Sequence, residues 1–192
     1  MERRPGIKAT QIQSSLAVAE QLARERVARL HAAMGADTLG TIRGAIKTSW
    51  VPVEADIALA HAVESVCGFG TDYERSRRAT AASLDQKLLR PFIEGVRKVF
   101  GLSPKGLFKT CQRGWNGVYK DCGQPQYVDL GERAAALDFS EMPLQVLDSD
   151  IYLRAIAGGL HALLDICHVE GEIVAKDVDA RARTVRFQIE WR

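Results

Sequence analysis

The 192-residue sequence is short of almost everything that would identify an activity outright. None of its four cysteines forms a Cys-x-x-Cys pair, which removes the strongest sequence sign of a zinc or redox site. Neither Gly-x-Ser-x-Gly nor His-Glu-x-x-His is present, so no hydrolase nucleophile and no zinc-protease helix is indicated. No uncharged apolar run approaches the ~20 residues of a membrane span. Met1-Glu2-Arg3-Arg4 has the basic start of a secretory signal, but Gln11, Gln13 and Ser14 follow where an apolar core would be needed. The expectation is a soluble cytoplasmic protein whose cysteines stay thiols. Charge of one sign is scarce as well: 26 Lys and Arg against 24 Asp and Glu leave a net charge of +2. That is too little for the basic stripe of a nucleic-acid binder, so neither nucleic acid nor a membrane span is expected.

What is present is ordinary globular composition, 46% hydrophobic and 26% charged. A chain of this length buries roughly 70% of the surface its unfolded form exposes. We therefore expect one domain over 1–192, with 1–122 mainly helical and 123–192 a β-β-α-β-β part.

Hydrophobic spacing gives the elements. Ile12, Leu16, Ala19, Ala23, Val27, Leu30 and Met34 recur every three or four residues, predicting a helix that Gly35 ends, with room for a break near Gln21. A short helix is expected over Thr38–Lys47. Pro52 suits the first turn of the next helix, whose Val53, Ile57, Ala60, Val63 and Cys67 share one side. Thr71-Asp72-Tyr73-Glu74 reads as a capping box with Thr71 as N-cap. The helix it opens should reach about Arg90, and Pro91 then kinks it or begins another carrying Phe92, Val96 and Phe100. Ser103-Pro104 opens a helix whose Leu107, Phe108, Cys111, Trp115, Val118 and Tyr119 form the most aromatic face in the chain.

After Gly123 the period changes. Gln126–Leu130 and Ala134–Phe139 suit a hairpin around Gly131-Glu132. Asp148 or Ser149 caps a helix with Tyr152, Ile156, Leu160, Leu163 and Cys167 inward. Its Gly158-Gly159 is unusual, since each mid-helix glycine costs ~1 kcal/mol against alanine; close packing on the sheet is the default account and room for a ligand the alternative. Val185, Phe187, Ile189 and Trp191 alternate with polar residues, predicting a central or near-central strand, with Ile173–Val178 as its partner. The fold class is α+β: a helical layer on a four-stranded antiparallel sheet.

Several pieces taken together resemble a known group. They are Ile7-Lys8-Ala9-Thr10, the Trp50-Val51-Pro52-Val53-Glu54 turn, the Ser103–Tyr119 helix before a hairpin, and the closing strand Phe187-Gln188-Ile189-Glu190-Trp191. In this order they are similar to a paralogous family from myxobacteria. That family is related to the vinyl-reductase-type ligand-binding domain, the heme-dependent nitric-oxide sensor domain and the core subunits of the TRAPP vesicle-tethering complex. The resemblance implies an apolar pocket between helices and sheet that receives a hydrophobic small molecule. Two departures limit it. The last hairpin, Asp177–Trp191, lacks the cysteines common in vinyl-reductase-type domains. Tyr73-Glu74-Arg75-Ser76-Arg77 has the residue types of the heme sensors' Tyr-x-Ser-x-Arg motif, but Ser stands one place late and no histidine follows nearby. Neither heme, another cofactor nor a metal is therefore expected.

The candidate ligand-binding residues are Phe108, Cys111, Trp115 and Tyr119 on the aromatic helix and His161 on the facing one. Core packing is the default for such a face, and for Cys111, whose alternative is acylation. Tyrosine and tryptophan nevertheless bring polar edges into apolar surroundings, which suits a pocket. The expected function is a non-enzymatic sensor or regulatory domain binding a hydrophobic small molecule, with no catalytic residues. The alternative is a protein-interaction scaffold, a homodimer or the partner of another protein, like the tethering subunits.

Overall fold

The computed structural model describes residues 4–84, 95 and 103–192. Strand β1 (Gly6–Lys8) runs directly into helix α1 (Ala9–Ala23), whose buried Ala9, Ile12, Ser15, Leu16, Ala19 and Ala23 keep the three-and-four spacing. The break falls at a 3-10 turn over Arg24–Arg26, slightly later than the sequence predicts, and α2 (Val27–Met34) continues from it. The turn serves a purpose: Arg26 Nη1 donates to Val66 O at 2.6 Å, satisfying a carbonyl near the end of another helix. After Gly35 comes α3 (Ala36–Gly44), with Gln13 donating to its terminal Ile42 and Ala45 carbonyls.

Trp50–Pro52 is not merely an interruption. It is strand β2, antiparallel to β1, with Ile7 opposite Val51. Helix α4 (Val53–Cys67) follows, with Pro52 at its N-cap. The capping box predicted at Thr71 is not what opens α5 (Thr71–Leu84). Glu64 Oε1, from α4, instead accepts from the backbone N–H groups of Gly70 and Asp72, so the cap comes from the neighbouring helix. The expected helix end at Arg90 and the Phe92–Phe100 helix lie outside the described residues.

The aromatic segment is two helices. Ser103 Oγ accepts from Gly106 N to start α6 (Pro104–Lys109), Thr110 breaks the run, and α7 (Cys111–Val118) follows. Tyr119 has left the helix and belongs to β3 (Tyr119–Lys120), which completes a small sheet of order β2-β1-β3. The hairpin is β4 (Gln124–Gly131) and β5 (Ala134–Ser140). A short α8 (Leu144–Leu147) precedes α9 (Asp150–Ile166), where Ser149 Oγ accepts from Tyr152 N as N-cap. Strands β6 (Gly171–Asp179) and β7 (Thr184–Trp191) close the chain.

The protein has an α+β fold with an antiparallel sheet of order β4-β5-β7-β6, so the last strand is internal, as its alternation predicts. Val185, Phe187 and Ile189 are fully buried; each contributes about 1.5–3 kcal/mol of apolar burial. Helix α9 lies on this face against β6, while α6 and α7 pack against β4. On its far side α9 packs along α5, and α5 in turn packs on α1. The Gly158-Gly159 pair explains how closely α5 and α9 meet: a Cβ on Gly158 would stand 2.2 Å from Tyr73 O. The close approach is therefore to helix α5, not to the sheet as expected.

Candidate functional site

One cavity of about 90 Å³ opens where α1, α4, α5, α6, α7 and α9 converge with β1 and β3. Its two sides differ chemically. Gln11 and Ser15 from α1, Asp56 from α4, and Ser76 and Thr80 from α5 supply polar groups. Leu107, Cys111, Trp115, Val118, Ile156, Leu160 and Leu163 supply an apolar wall from α6, α7 and α9. Gly159 lies between the sides: a Cβ there would stand 3.1 Å from both Ser76 Oγ and Thr80 Oγ1. The missing side chain thus leaves these two hydroxyls uncovered by α9.

Of the five residues singled out in the sequence, Cys111, Trp115 and Tyr119 line this cavity together. Trp115 stacks on Tyr119 with ring centroids 4.1 Å apart and meets Phe139 edge-on at 4.8 Å. Phe139 contacts Phe187 in the same way, so an aromatic series runs from the cavity wall to the central strand. Phe108 is 1% exposed, part of the core around α9, and does not line the cavity. His161 does not line it either. Its Nδ1 lies 2.5 Å from the Tyr73 hydroxyl, joining α9 to α5. Burial is the first cause holding its pKa below the ordinary histidine value, and Arg77 adds to it. The Tyr73 hydroxyl and His161 Nδ1 share this hydrogen bond, its donor set by the imidazole tautomer.

The four-stranded sheet contributes no lining residue to the cavity. The pocket is lined by helices, with the small sheet represented by Ile7 and Tyr119. Two- and three-residue strands carry no alternation, which is why β1, β2 and β3 left no pattern to read.

Sequence reasoning missed the most unusual chemistry beside the cavity. Arg75 is 1% exposed, and its Nε donates to Asp72 Oδ1 while Nη2 donates to Oδ2 at 3.3 Å. On its other side Asp56 Oδ1 lies 3.5 Å from Nη1. Asp56 Oδ2 accepts from Tyr152 O–H at 2.8 Å, whereas Oδ1 is buried and has no hydrogen-bond partner. Two buried carboxylates thus share one guanidinium. Desolvation is the largest influence on Asp56 and pushes its pKa up, against the opposing pull of Arg75 and Tyr152. Three arginines within four residues, Arg75, Arg77 and Arg78, suggest a solvated helix face from sequence alone; the spacing Asp72–Arg75 is the available clue. Cys111 is held as the thiol, its pKa pushed up to about 12 by burial. Trp115 Nε1 is also buried without a partner.

No family model matches the chain, and no curated protein matches it in sequence. Solved structures do match in shape. An Fe(II) unliganded H-NOX protein from K. algicida superposes with a TM-score of 0.62 at 9% identity, over 97% of both chains. A structure from a study of heme distortion in the H-NOX family gives 0.61 at 8% identity, over 97% of this chain and 95% of that one. An oxygen complex of an H-NOX domain related to soluble guanylate cyclases gives 0.57 at 8% identity, with the same coverage.

A heme, which that fold brings to mind, can be tested against the residues present. The four histidines are committed elsewhere or remote: His31 pairs with Glu20, His61 with Ser149, His161 with Tyr73, and His168 follows the end of α9. None lines the cavity, and residues 85–102 contain no histidine. Propionates would need cations, yet Arg75 is held by two aspartates and Arg77 by Asp165 through bonds of 2.7 and 2.5 Å. A cavity of about 90 Å³ also falls well below the ~300–1,000 Å³ of pockets for drug-sized ligands. The described residues do not fit a heme. What these comparisons establish is architecture: the chain has the fold of H-NOX domains.

Proposed function

We propose that the chain is a non-enzymatic sensor or regulatory domain that binds a small, mainly apolar molecule in the cavity between α1, α5, α7 and α9. The observation that carries this reading is the cavity itself, set among helices and walled by Cys111, Trp115, Tyr119, Leu160 and Leu163. Its size is of the order of apolar cavities that take benzene or xenon. The similarity to an oxygen-binding H-NOX structure supports a small ligand in this architecture. Signalling follows from placement: the cavity touches α5 and α9, whose close joint links the N-terminal helices to the four-stranded sheet. A ligand that favours one arrangement of this joint over another shifts the populations of both halves.

The chemistry of the lining supports binding over catalysis. A cysteine nucleophile needs its thiolate, and the Cys111 pKa of about 12 leaves it protonated at neutral pH. Tyr119 is likewise pushed up, first by burial and then by Asp56. Helix α4 gives Val53 and Ala60 to the core that holds Leu107, Leu137 and Phe187, and Leu59 and Val63 to a second core with Ile12 and Leu30, which supports treating 1–192 as one domain.

Trp115 gives the test. Trp115→Phe retains most of the apolar volume and removes an indole N–H that is buried without a partner. It is expected to fold with a melting temperature close to that of the parent while altering the amount of small molecule released from the purified protein on denaturation. Trp115→Ala should lose both ligand and about 3–5 kcal/mol of stability. If Trp115→Phe leaves the released ligand unchanged and Trp115→Ala only melts the domain, Trp115 is core and the pocket assignment fails.

A further inference from the structure

We infer that the cavity selects a ligand with a hydrogen-bond donor at one end, an alcohol or an amine, and a compact apolar body at the other, and that Asp56 is the residue that recognises the donor. This rests on the reading of the cavity as a ligand site and adds the chemical class of its occupant.

The two-sided lining sets the orientation. The apolar body faces Leu107, Trp115 and Leu163, and the head group faces Ser15, Ser76, Thr80 and Asp56. Among these polar residues Asp56 is distinctive: it is 3% exposed, it lines the cavity, and its Oδ1 has no hydrogen-bond partner. Buried carboxylate oxygens are normally satisfied, because an unmade bond to such a group costs its full desolvation. Asp72 already occupies one side of Arg75 through two bonds, and Arg75 Nη1 stays 3.5 Å from Asp56. Asp56 Oδ1 is therefore short of one donor in this cluster, and short of one positive charge as well when both carboxyl groups are ionised. An alcohol supplies the donor, and an ammonium supplies both. A carboxylate ligand would add a third anion to the same wall, so anions are excluded by the feature that attracts donors.

Four one-ring probes of nearly equal shape separate these outcomes: toluene, benzyl alcohol, benzylamine and benzoate. Each is titrated into the full-length protein, with amide and indole N–H chemical shifts as the readout. Benzylamine and benzyl alcohol should bind about tenfold or more tightly than toluene, and benzoate should not bind. In Asp56→Asn the advantage of benzylamine over toluene should fall to within about threefold. Asp138→Asn, which alters an ion pair with Arg186 on the four-stranded sheet and does not touch the cavity, should keep the benzylamine preference. With Asp56→Asn unfolded, the four-probe ranking on the parent decides. Toluene binding as well as the alcohol and amine overturns this inference while leaving the cavity a ligand site. Benzoate binding most tightly overturns it as well. Absence of shifts with all four probes overturns both this inference and the ligand-site reading.

Discussion

Arg75→Met should lower the free energy of unfolding by about 3–5 kcal/mol, the range seen when one member of a buried ion pair is removed. The side chain is almost completely buried, and its guanidinium is the only cation within ion-pair distance of Asp56 or Asp72 among the described contacts. Methionine fills much of the same volume, so little of the loss can come from a cavity. What remains is the repulsion and desolvation of two carboxylates in an apolar setting. The double variant Arg75→Met with Asp72→Asn should recover part of the loss, because it removes one of the stranded charges. Chemical denaturation of the three proteins checks this. A loss of less than about 1 kcal/mol for Arg75→Met would place the network among exposed ion pairs, where contributions are of that size.

The pH dependence of this network has a definite sign. Burial raises the Asp56 pKa in the folded state above its ordinary value. Its contribution is then fully present below the unfolded pKa and is lost as pH rises through the folded one. His161 behaves oppositely: its lowered pKa makes its contribution complete above the unfolded value and diminishes it as pH falls.

Gly158→Ala is expected to cost about 3 kcal/mol or more, although alanine is the better helix former by ~1 kcal/mol. The added methyl would stand 2.2 Å from Tyr73 O, 2.9 Å from Tyr73 C and 3.0 Å from Tyr73 Cα. These are backbone atoms, so relief requires moving α5 away from α9. Gly159→Ala is the matched comparison. There the methyl meets only the Ser76 and Thr80 hydroxyls at 3.1 Å, which can turn aside. It should therefore change stability by less than about 1 kcal/mol while narrowing the cavity. Thermal unfolding of the two variants distinguishes them, and equal melting temperatures would contradict the asymmetric packing derived for the pair.

These glycines also show where sequence stops being informative. Two mid-helix glycines stand out against helix propensity, and close approach was the default account of them. Which element approaches could not be read, because Tyr73 is 85 positions away from Gly158 in the chain. Periodic elements were legible: α1, α4, α9 and the hairpins follow the apolar spacing, and β7 is internal as its strict alternation requires. Short strands without a period were not. Ile7, Val51 and Tyr119 pair in a three-strand sheet that brings Tyr119 off the aromatic helix yet leaves it beside Trp115.

The site was partly legible for the same reason. Cys111 and Trp115 share one face of α7, and that face was visible as an apolar series of four-residue steps. The opposite wall was invisible, since Gln11, Ser15, Asp56, Ser76 and Thr80 come from three helices with no common motif. Their meeting is a consequence of how α5 docks on α9 and α1. A series of arginines along α5 suggests solvated charge, but Arg75 pairs with Asp56 of α4 and Arg77 with Asp165 of α9.

The most direct test of the central claim is native mass spectrometry of the full chain purified from its own cells. The account predicts one small organic molecule per chain, absent from the denatured spectrum, with no heme mass and no porphyrin absorption. A stoichiometric heme adduct, or a chain that carries no molecule under conditions that preserve its fold, would contradict it.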